Sequence, residues 1–321
     1  MPYINVDEVY ILDNTGLQVD QVTDLPYTDA ALTDGQKAQA RANIAAGGTN
    51  PNLFDNPFFG TGEVINQRGL TSGSDLTDNK YFIDRWMTTY SGSGGAQGSW
   101  SLGANGVTIT PYSGTTGGIS QKPSFTPIIG KDYTLSVMLA DGTVISGTGT
   151  HAASTVTYIN DATNNVVAQW MNQYGYFRIR SQSSNALTIR AVKLELGTVS
   201  TIANDVPPDY GTELAKCQRY FVRALGDPFG TGYITTAGNN SRITVPVPMT
   251  MRATPTVSFS GTFHLRVQGN TLNVTTMSAV SPKNTAGGIT LSCSGFSGAT
   301  TGFCALYADG TSDYIDFSAD L

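Results

Sequence analysis

The stretch Tyr133-Thr-Leu-Ser-Val-Met-Leu-Ala-Asp-Gly142 decides the fold class. Tyr133, Leu135, Val137 and Leu139 recur at every second position, which puts them on one face of a strand. Asp141-Gly142 then supplies the residue pair that a tight hairpin demands, because its central residues need positive φ. The same grammar returns on both sides. Asn105-Gly106 separates Ser99-Trp-Ser-Leu102 from Val107-Thr-Ile-Thr110, and Asp161-Ala-Thr-Asn-Asn165 links Val156-Thr-Tyr158 to a long run from Val166 to Arg180. No helical periodicity interrupts residues 50–206, so this span is predicted to be a β-sandwich of jelly-roll type.

Pro207-Pro208 closes that span, since neither proline suits a central strand. Beyond it, a turn of helix is expected at Glu213-Leu-Ala-Lys216, and then strands again. Ile243, Val245, Val247 and Met249 share one face, with Pro246 and Pro248 on the other predicted to confine that strand to an edge. Val257, Phe259, Phe263, Leu265 and Val267 form one alternating run in which Gly261 fills an inward position. Gly269-Asn270 turns the chain into Leu272-Asn-Val274, and Asp309-Gly310 joins the run Phe303 to Tyr307 to Tyr314-Ile-Asp-Phe317. Residues 207–321 therefore read as a second antiparallel β-domain, of sandwich type.

Ahead of both lies a different kind of sequence. Residues 1–31 alternate short apolar patches with turn residues and have little apolar mass of their own. Residues 32–49 turn helical, with Thr33 as N-cap, Gln36 three residues on in a capping-box arrangement, and Gly47-Gly48 as the stop. A helix of about 12 residues is marginal alone in water. Its small-residue face, Ala38, Ala42 and Ala45 with Ile44 beside it, suits close packing against copies of itself. The other reading is a linker helix lying on the next domain.

Composition bounds the function. Of 321 residues, 13% are charged, about half the usual share, while 36 are glycine. Such a surface depends on Ser, Thr, Asn and backbone groups for solubility, which suits neutral polar ligands such as glycans. With 18 basic against 24 acidic residues and a net charge of −6, the chain lacks the basic stripe that nucleic acid or an anionic membrane would require. Met1-Pro-Tyr-Ile-Asn-Val-Asp-Glu has no basic n-region or apolar core of a secretory signal. No apolar run reaches the ~18 residues of a spanning helix. Folding in a cytoplasm without membrane insertion is the expectation. Cys217, Cys293 and Cys304 do not make a disulfide framework and read as small buried hydrophobes.

Catalytic readings find little to build on. The two histidines are His151 in a Gly/Thr/Ser-rich loop and His264 on the polar face of its strand, and neither has a Cys or His at ligand spacing. No nucleophile elbow, Walker loop or dinucleotide fingerprint occurs. Glu63, Asp84 and Glu195 remain as carboxylates able to pair for glycoside hydrolysis, with structural roles the better reading: Asp84 and Arg85 bonding within the sandwich and Glu195 closing its last strand. No enzyme activity, cofactor or metal is expected.

Sugar binding asks for aromatic faces and nearby hydrogen-bonding groups. Trp170-Met-Asn-Gln-Tyr-Gly-Tyr176, taken as one strand, puts Trp170, Asn172, Tyr174 and Tyr176 on a single face, and Trp100 and Tyr112 complete a platform. The alternative is that these rings fill the sandwich core or an interface between copies.

Several motifs carry a family likeness. Asp209-Tyr-Gly-Thr-Glu-Leu-Ala-Lys-Cys-Gln-Arg-Tyr-Phe221, Met251-Arg-Ala-Thr-Pro-Thr-Val257 and the closing Tyr314-Ile-Asp-Phe-Ser-Ala-Asp-Leu321 resemble the C-terminal domain of bacteriophage tail-fibre and receptor-binding proteins. Asn52-Leu-Phe-Asp-Asn-Pro-Phe-Phe59, Asn66-Gln-Arg-Gly69, Asp84-Arg-Trp86 and Lys193-Leu-Glu-Leu-Gly197 resemble the carbohydrate-binding-like domains of such fibres, and Leu32 to Ile44 is similar to a helical element near their virion end. The resemblance implies a non-enzymatic homotrimer on the virion, assembled in the host bacterial cytoplasm. It implies residues 1–31 as an arm for other virion proteins, and attachment to bacterial surface glycan by multivalent contact. A head (capsid) fibre or decoration protein with a structural role is the alternative.

Overall fold

The computed structural model describes the strands β1 (Tyr3–Val6), β2 (Val9–Leu12) and β3 (Gly16–Leu17), and residues 50–320 apart from 75, 78, 92–97, 237 and 281–286. The chain divides into two compact units, Met1–Thr49 and Asn50–Leu321. In the first, β1, β2 and β3 form an antiparallel sheet in chain order. The helix predicted over residues 32–49, with Ala38, Ala42, Ile44 and Ala45, lies outside the described residues.

The second unit is mainly β and holds two sandwich-like pairs of sheets. The first pair is built from β4 (Ser72–Gly73), β5 (Lys80–Ile83), β6 (Trp86–Ser91), β7 (Gly98–Gly103), β8 (Gly106–Pro111), β9 (Thr116–Gln121), β10 (Asp132–Leu139), β11 (Val144–Thr150), β12 (Val156–Asp161), β13 (Val166–Met171), β14 (Tyr176–Ser181) and β15 (Leu187–Leu196). One six-stranded sheet runs β11-β10-β15-β8-β7-β4, and the facing one runs β12-β13-β14-β9-β6-β5. The predicted hairpins at Asn105-Gly106, Asp141-Gly142 and 161–165 are all present. Inward positions of both sheets, among them Leu135, Val137, Ile109, Phe177, Ile179 and Ile189, make one core. Its centre is Trp86, whose ring meets Phe54 at 5.3 Å and Phe59 at 5.2 Å while its indole N–H donates to the Asn56 carbonyl at 2.8 Å. Each such large apolar side chain contributes about 1.5–3 kcal/mol by leaving water, and the satisfied N–H keeps the indole from offsetting that gain.

After β15, buried Glu195 accepts from the backbone N–H and hydroxyl of Thr201, both at 2.8 Å, so it does close the last strand. The helix α1 (Tyr210–Gln218) follows, longer than the predicted turn because Asp209 caps it by accepting from the Thr212 N–H at 2.9 Å.

The second pair comprises β16 (Phe221–Ala224), β17 (Gly230–Thr236), β18 (Gly238–Val245), β19 (Thr256–Ser260), β20 (Phe263–Val267), β21 (Asn270–Val274), β22 (Thr276–Ala279), β23 (Ile289–Ala299), β24 (Gly302–Ala308) and β25 (Tyr314–Ser318). A seven-stranded sheet ordered β21-β20-β24-β17-β18-β23-β22 faces a three-stranded one ordered β16-β25-β19. Two expectations are corrected here. The strand carrying Ile243 and Val245 is interior, between β17 and β23, because β18 ends at Val245 and the prolines at 246 and 248 lie beyond the ladder, where no N–H is needed. The run from Val257 to Val267 is two strands in different sheets. Gly261 is the corner between them: its φ of +112° suits glycine, and a Cβ there would sit 2.0 Å from the Asp313 carboxyl carbon.

The family-like motifs meet where the two pairs join. The Asn56 N–H donates to Glu213 of α1 at 2.5 Å, and the Gln67 side chain donates both to Asp84 at 3.1 Å and to the Phe221 carbonyl at 2.8 Å. Arg68 pairs with Asp320 and lies over the Phe221 ring at 3.7 Å. Arg223 holds Asp316 through two bonds of 2.8 Å and donates to the Arg68 carbonyl at 2.7 Å. Asp84 and Arg85 bond within the first sandwich, Asp84 to Gln67 and Arg85 to Asp55 at 3.0 Å, as the sequence led us to expect.

Candidate functional site

Three connections converge at one end of the first sandwich. The chain crosses from β9 to β10 through 122–131, where Pro123 and Pro127 cannot extend a ladder. It crosses back from β11 to β12 through 151–155. Within the second of these sheets, β13 turns into β14 over 172–175. Backbone bonds tie the first two together, the Gly130 N–H to the His151 carbonyl and the His151 N–H to the Lys131 carbonyl, each at 2.8 Å. Arg85 anchors the start of the crossing by donating to the Lys122 carbonyl at 2.7 Å, and the Tyr133 hydroxyl accepts from the Ile128 N–H at 3.0 Å.

Between these connections lies a cleft of about 430 Å³, bordered by Pro123, Phe125, Ile129, His151, Trp170 and Asn172. The floor is aromatic. Trp170 packs against Phe177 at 4.9 Å, and the His151 ring meets Trp170 edge-on, also at 4.9 Å. Trp170 is 7% exposed and His151 4%. The Trp170 indole nitrogen and His151 Nδ1 are both buried, and neither has a hydrogen-bond partner among the described residues. A buried polar atom without a partner costs free energy until something supplies one. Burial also holds the His151 imidazole below its ordinary pKa, so it is neutral at pH 7. The cleft is thus bordered by an indole and an imidazole, each with a buried nitrogen that lacks a partner, and by the Asn172 side chain and apolar walls.

The structure brings together only part of the platform read from the sequence. Trp170 and Asn172 share the cleft, but the segment from Trp170 to Tyr176 is no single strand. Met171 pairs with Tyr176, and 172–175 form the turn, with Gly175 at φ +68°. An alternating pattern cannot distinguish a strand from a tight turn whose closing glycine supplies the positive φ. Tyr174 is exposed and stacks on buried Tyr176 at 5.3 Å, outside the cleft lining. Trp100 is a core residue against Phe82 at 4.7 Å, and Tyr112 is exposed just beyond β8. The sequence weighed His151 only as a catalytic or metal-ligating residue and did not join it to the aromatic platform, which the structure does. His264 stands on the outer face of its strand, alternating with the core residues Phe263 and Leu265 as expected, and is covered there: it lies 3.2 Å from Asp309 and stacks on Tyr307.

Glu63, Asp84 and Glu195 each have their own partners: Glu63 binds Arg190 at 2.5 Å, Asp84 accepts from Gln67, and Glu195 accepts from Thr201. Among the described residues no cluster of His, Cys, Asp and Glu is arranged to hold a metal ion, and no helix is long and apolar enough to cross a membrane. The three cysteines are buried and unpaired.

Comparison with protein-family models and with curated proteins gives no match. Among solved structures it finds recombinant discoidin II of Dictyostelium discoideum, 10% identical, covering 81% of this chain and 90% of that one with a TM-score of 0.17. A likeness that weak carries no argument.

Proposed function

We propose that this chain is a virion fibre protein that attaches a bacteriophage to its bacterial host by holding surface glycan, without turning it over, and that the Trp170 cleft is a glycan site. The observation that carries the reading is the pair of buried, unpartnered atoms on Trp170 and His151 at the border of an apolar cleft. A pyranose fits that demand. Its C–H face lies on aromatic and proline surface, while one hydroxyl accepts from the indole N–H and another bonds the neutral imidazole. The fibre context rests on the motif resemblance, which implies a homotrimer joined through residues 32–49, a jelly-roll first domain, and an N-terminal arm bound to other virion proteins. Three weak sites held at fixed spacing raise avidity by about 10²–10⁴ over one, provided that they engage together.

Trp170→Phe tests the site, because it keeps an aromatic ring in the core while removing the N–H together with part of the indole. Alongside His151→Ala, it is expected to weaken adsorption to host cells or immobilised glycan by about 10-fold or more, in line with the loss of a buried hydrogen bond. Unchanged binding by both folded variants would place the sugar elsewhere.

A further inference from the structure

The outer face of the seven-stranded sheet carries a second aromatic site, remote in sequence from the first. Strand register sets Phe303 of β24 opposite Tyr233 of β17, Tyr233 opposite Arg242 of β18, and Arg242 opposite Ser292 of β23. These residues form one row across the sheet. The alternate positions Ile234, Ile243, Cys304 and Leu306 fill the core, so the row faces away from it. Phe303 is 86% exposed and Tyr233 42%. Their rings meet edge to face at 5.6 Å beside a depression of about 570 Å³ that Thr231, Arg242, Arg266 and Ala305 also line.

A phenylalanine this exposed on an interior strand forgoes the burial its side chain would gain in a core, which marks a surface made for contact. The charges say what kind. Neither Arg242 nor Arg266 has an ion pair among the described residues, and Arg266 lies over the Tyr307 ring at 4.2 Å. In a chain of net charge −6, two uncompensated guanidinium groups beside bare rings favour an anionic ligand with an apolar flat face. A sugar acid joins those two properties in one residue: a carboxylate matches the arginine fork, and a pyranose C–H face lies on the ring. A nucleic acid strand also stacks on rings, but it repeats a phosphate at every step and needs a longer basic track than two arginines.

We infer that this face binds acidic polysaccharide through carboxylate-bearing sugar residues, with Arg242 and Arg266 on the carboxylate and Phe303 and Tyr233 under the ring. The site shares no residue with the Trp170 cleft, so the two stand or fall separately.

Calorimetric titration of the full chain with polygalacturonate, against dextran of matched length, tests the assignment. Polygalacturonate is expected to bind and to weaken as salt rises. The double variant Arg242→Gln/Arg266→Gln and the single variant Phe303→Ala should each lose about 10-fold or more in affinity. Phe303→Tyr should retain binding. All these positions lie on the outer face, so circular dichroism should report intact folding. The inference is overturned if polygalacturonate binds no tighter than dextran, if the arginine variant binds as well as the parent, or if a thymidine oligonucleotide binds more tightly than either polysaccharide. It is also overturned if Phe303→Ala dissociates an oligomer without altering polygalacturonate binding, since the face would then be a contact between copies of this chain.

Discussion

Arg85 lies over the ring of Tyr220, with its guanidinium carbon 3.5 Å from the ring centroid. The same side chain bonds Asp55 at 3.0 Å and the Lys122 carbonyl at 2.7 Å. One buried cation therefore ties the first sandwich to the segment after α1 and fixes the start of the wall that borders the Trp170 cleft. Its backbone φ of +71° is one that side chains rarely adopt, and it persists because these contacts over-determine the position.

Removing that cation leaves Asp55 without its partner. Arg85→Ala is expected to destabilise the chain by about 3–5 kcal/mol, the usual cost of breaking a buried pair on one side. Urea denaturation checks this. A loss below about 1 kcal/mol would show the contact to be no more than a surface ion pair.

Asp84 makes stability respond to pH in the direction opposite to most carboxylates. Burial pushes its carboxyl up to about 6 from 3.8, outweighing the pull of Arg68 and of the bonds from Gln67. Between those values the folded chain holds the proton and the unfolded chain does not, so this group's contribution is present at low pH and is lost as pH rises through about 6. The change amounts to up to about 3 kcal/mol. Asp84→Asn stays neutral at every pH, so the difference in melting temperature between parent and variant should favour the variant progressively from about pH 4 to about pH 7. Parallel melting curves across that range would refute the assignment.

His151 should be silent where an ordinary histidine titrates. Burial lowers its pKa below 6.5, so glycan affinity at the Trp170 cleft is expected to stay flat from about pH 8 to about pH 6.5 and to fall only as the imidazole charges at lower pH. A midpoint at or above the ordinary histidine value in a binding-versus-pH profile would contradict a neutral ring in the cleft.

The thiols should be inert while the chain is folded. Burial raises the Cys217 and Cys304 thiols and pushes Cys293 up to about 12, and the thiolate is the form that reacts. Iodoacetamide at pH 8 is expected to label none of them until denaturant is added. Rapid labelling of the native chain at any of the three would show that its strand or helix opens.

Much of this molecule is local in origin. A period of two and the pairs Asn105-Gly106 and Asp141-Gly142 specify strands and hairpins because pleat and turn geometry act over neighbouring residues. Asp209 caps its helix for the same reason. Sheet membership is not local: Val257 and Phe263 obey one alternation yet lie in different sheets, since the corner at Gly261 is settled by what packs around Asp313.

The candidate sites show the division most clearly. Trp170 and Asn172 stood out as residues able to hold a sugar, but their partner His151 comes from the connection between the two sheets that leads into β12, beside Trp170's own strand, and Tyr174 is turned out of the cleft by the loop that the alternating pattern concealed. On the other sheet, Phe303 read as one more strand aromatic. Only the stacking of ladders shows that its face is bare, because whether a side chain is buried depends on what lies across from it, and linear order says nothing about that.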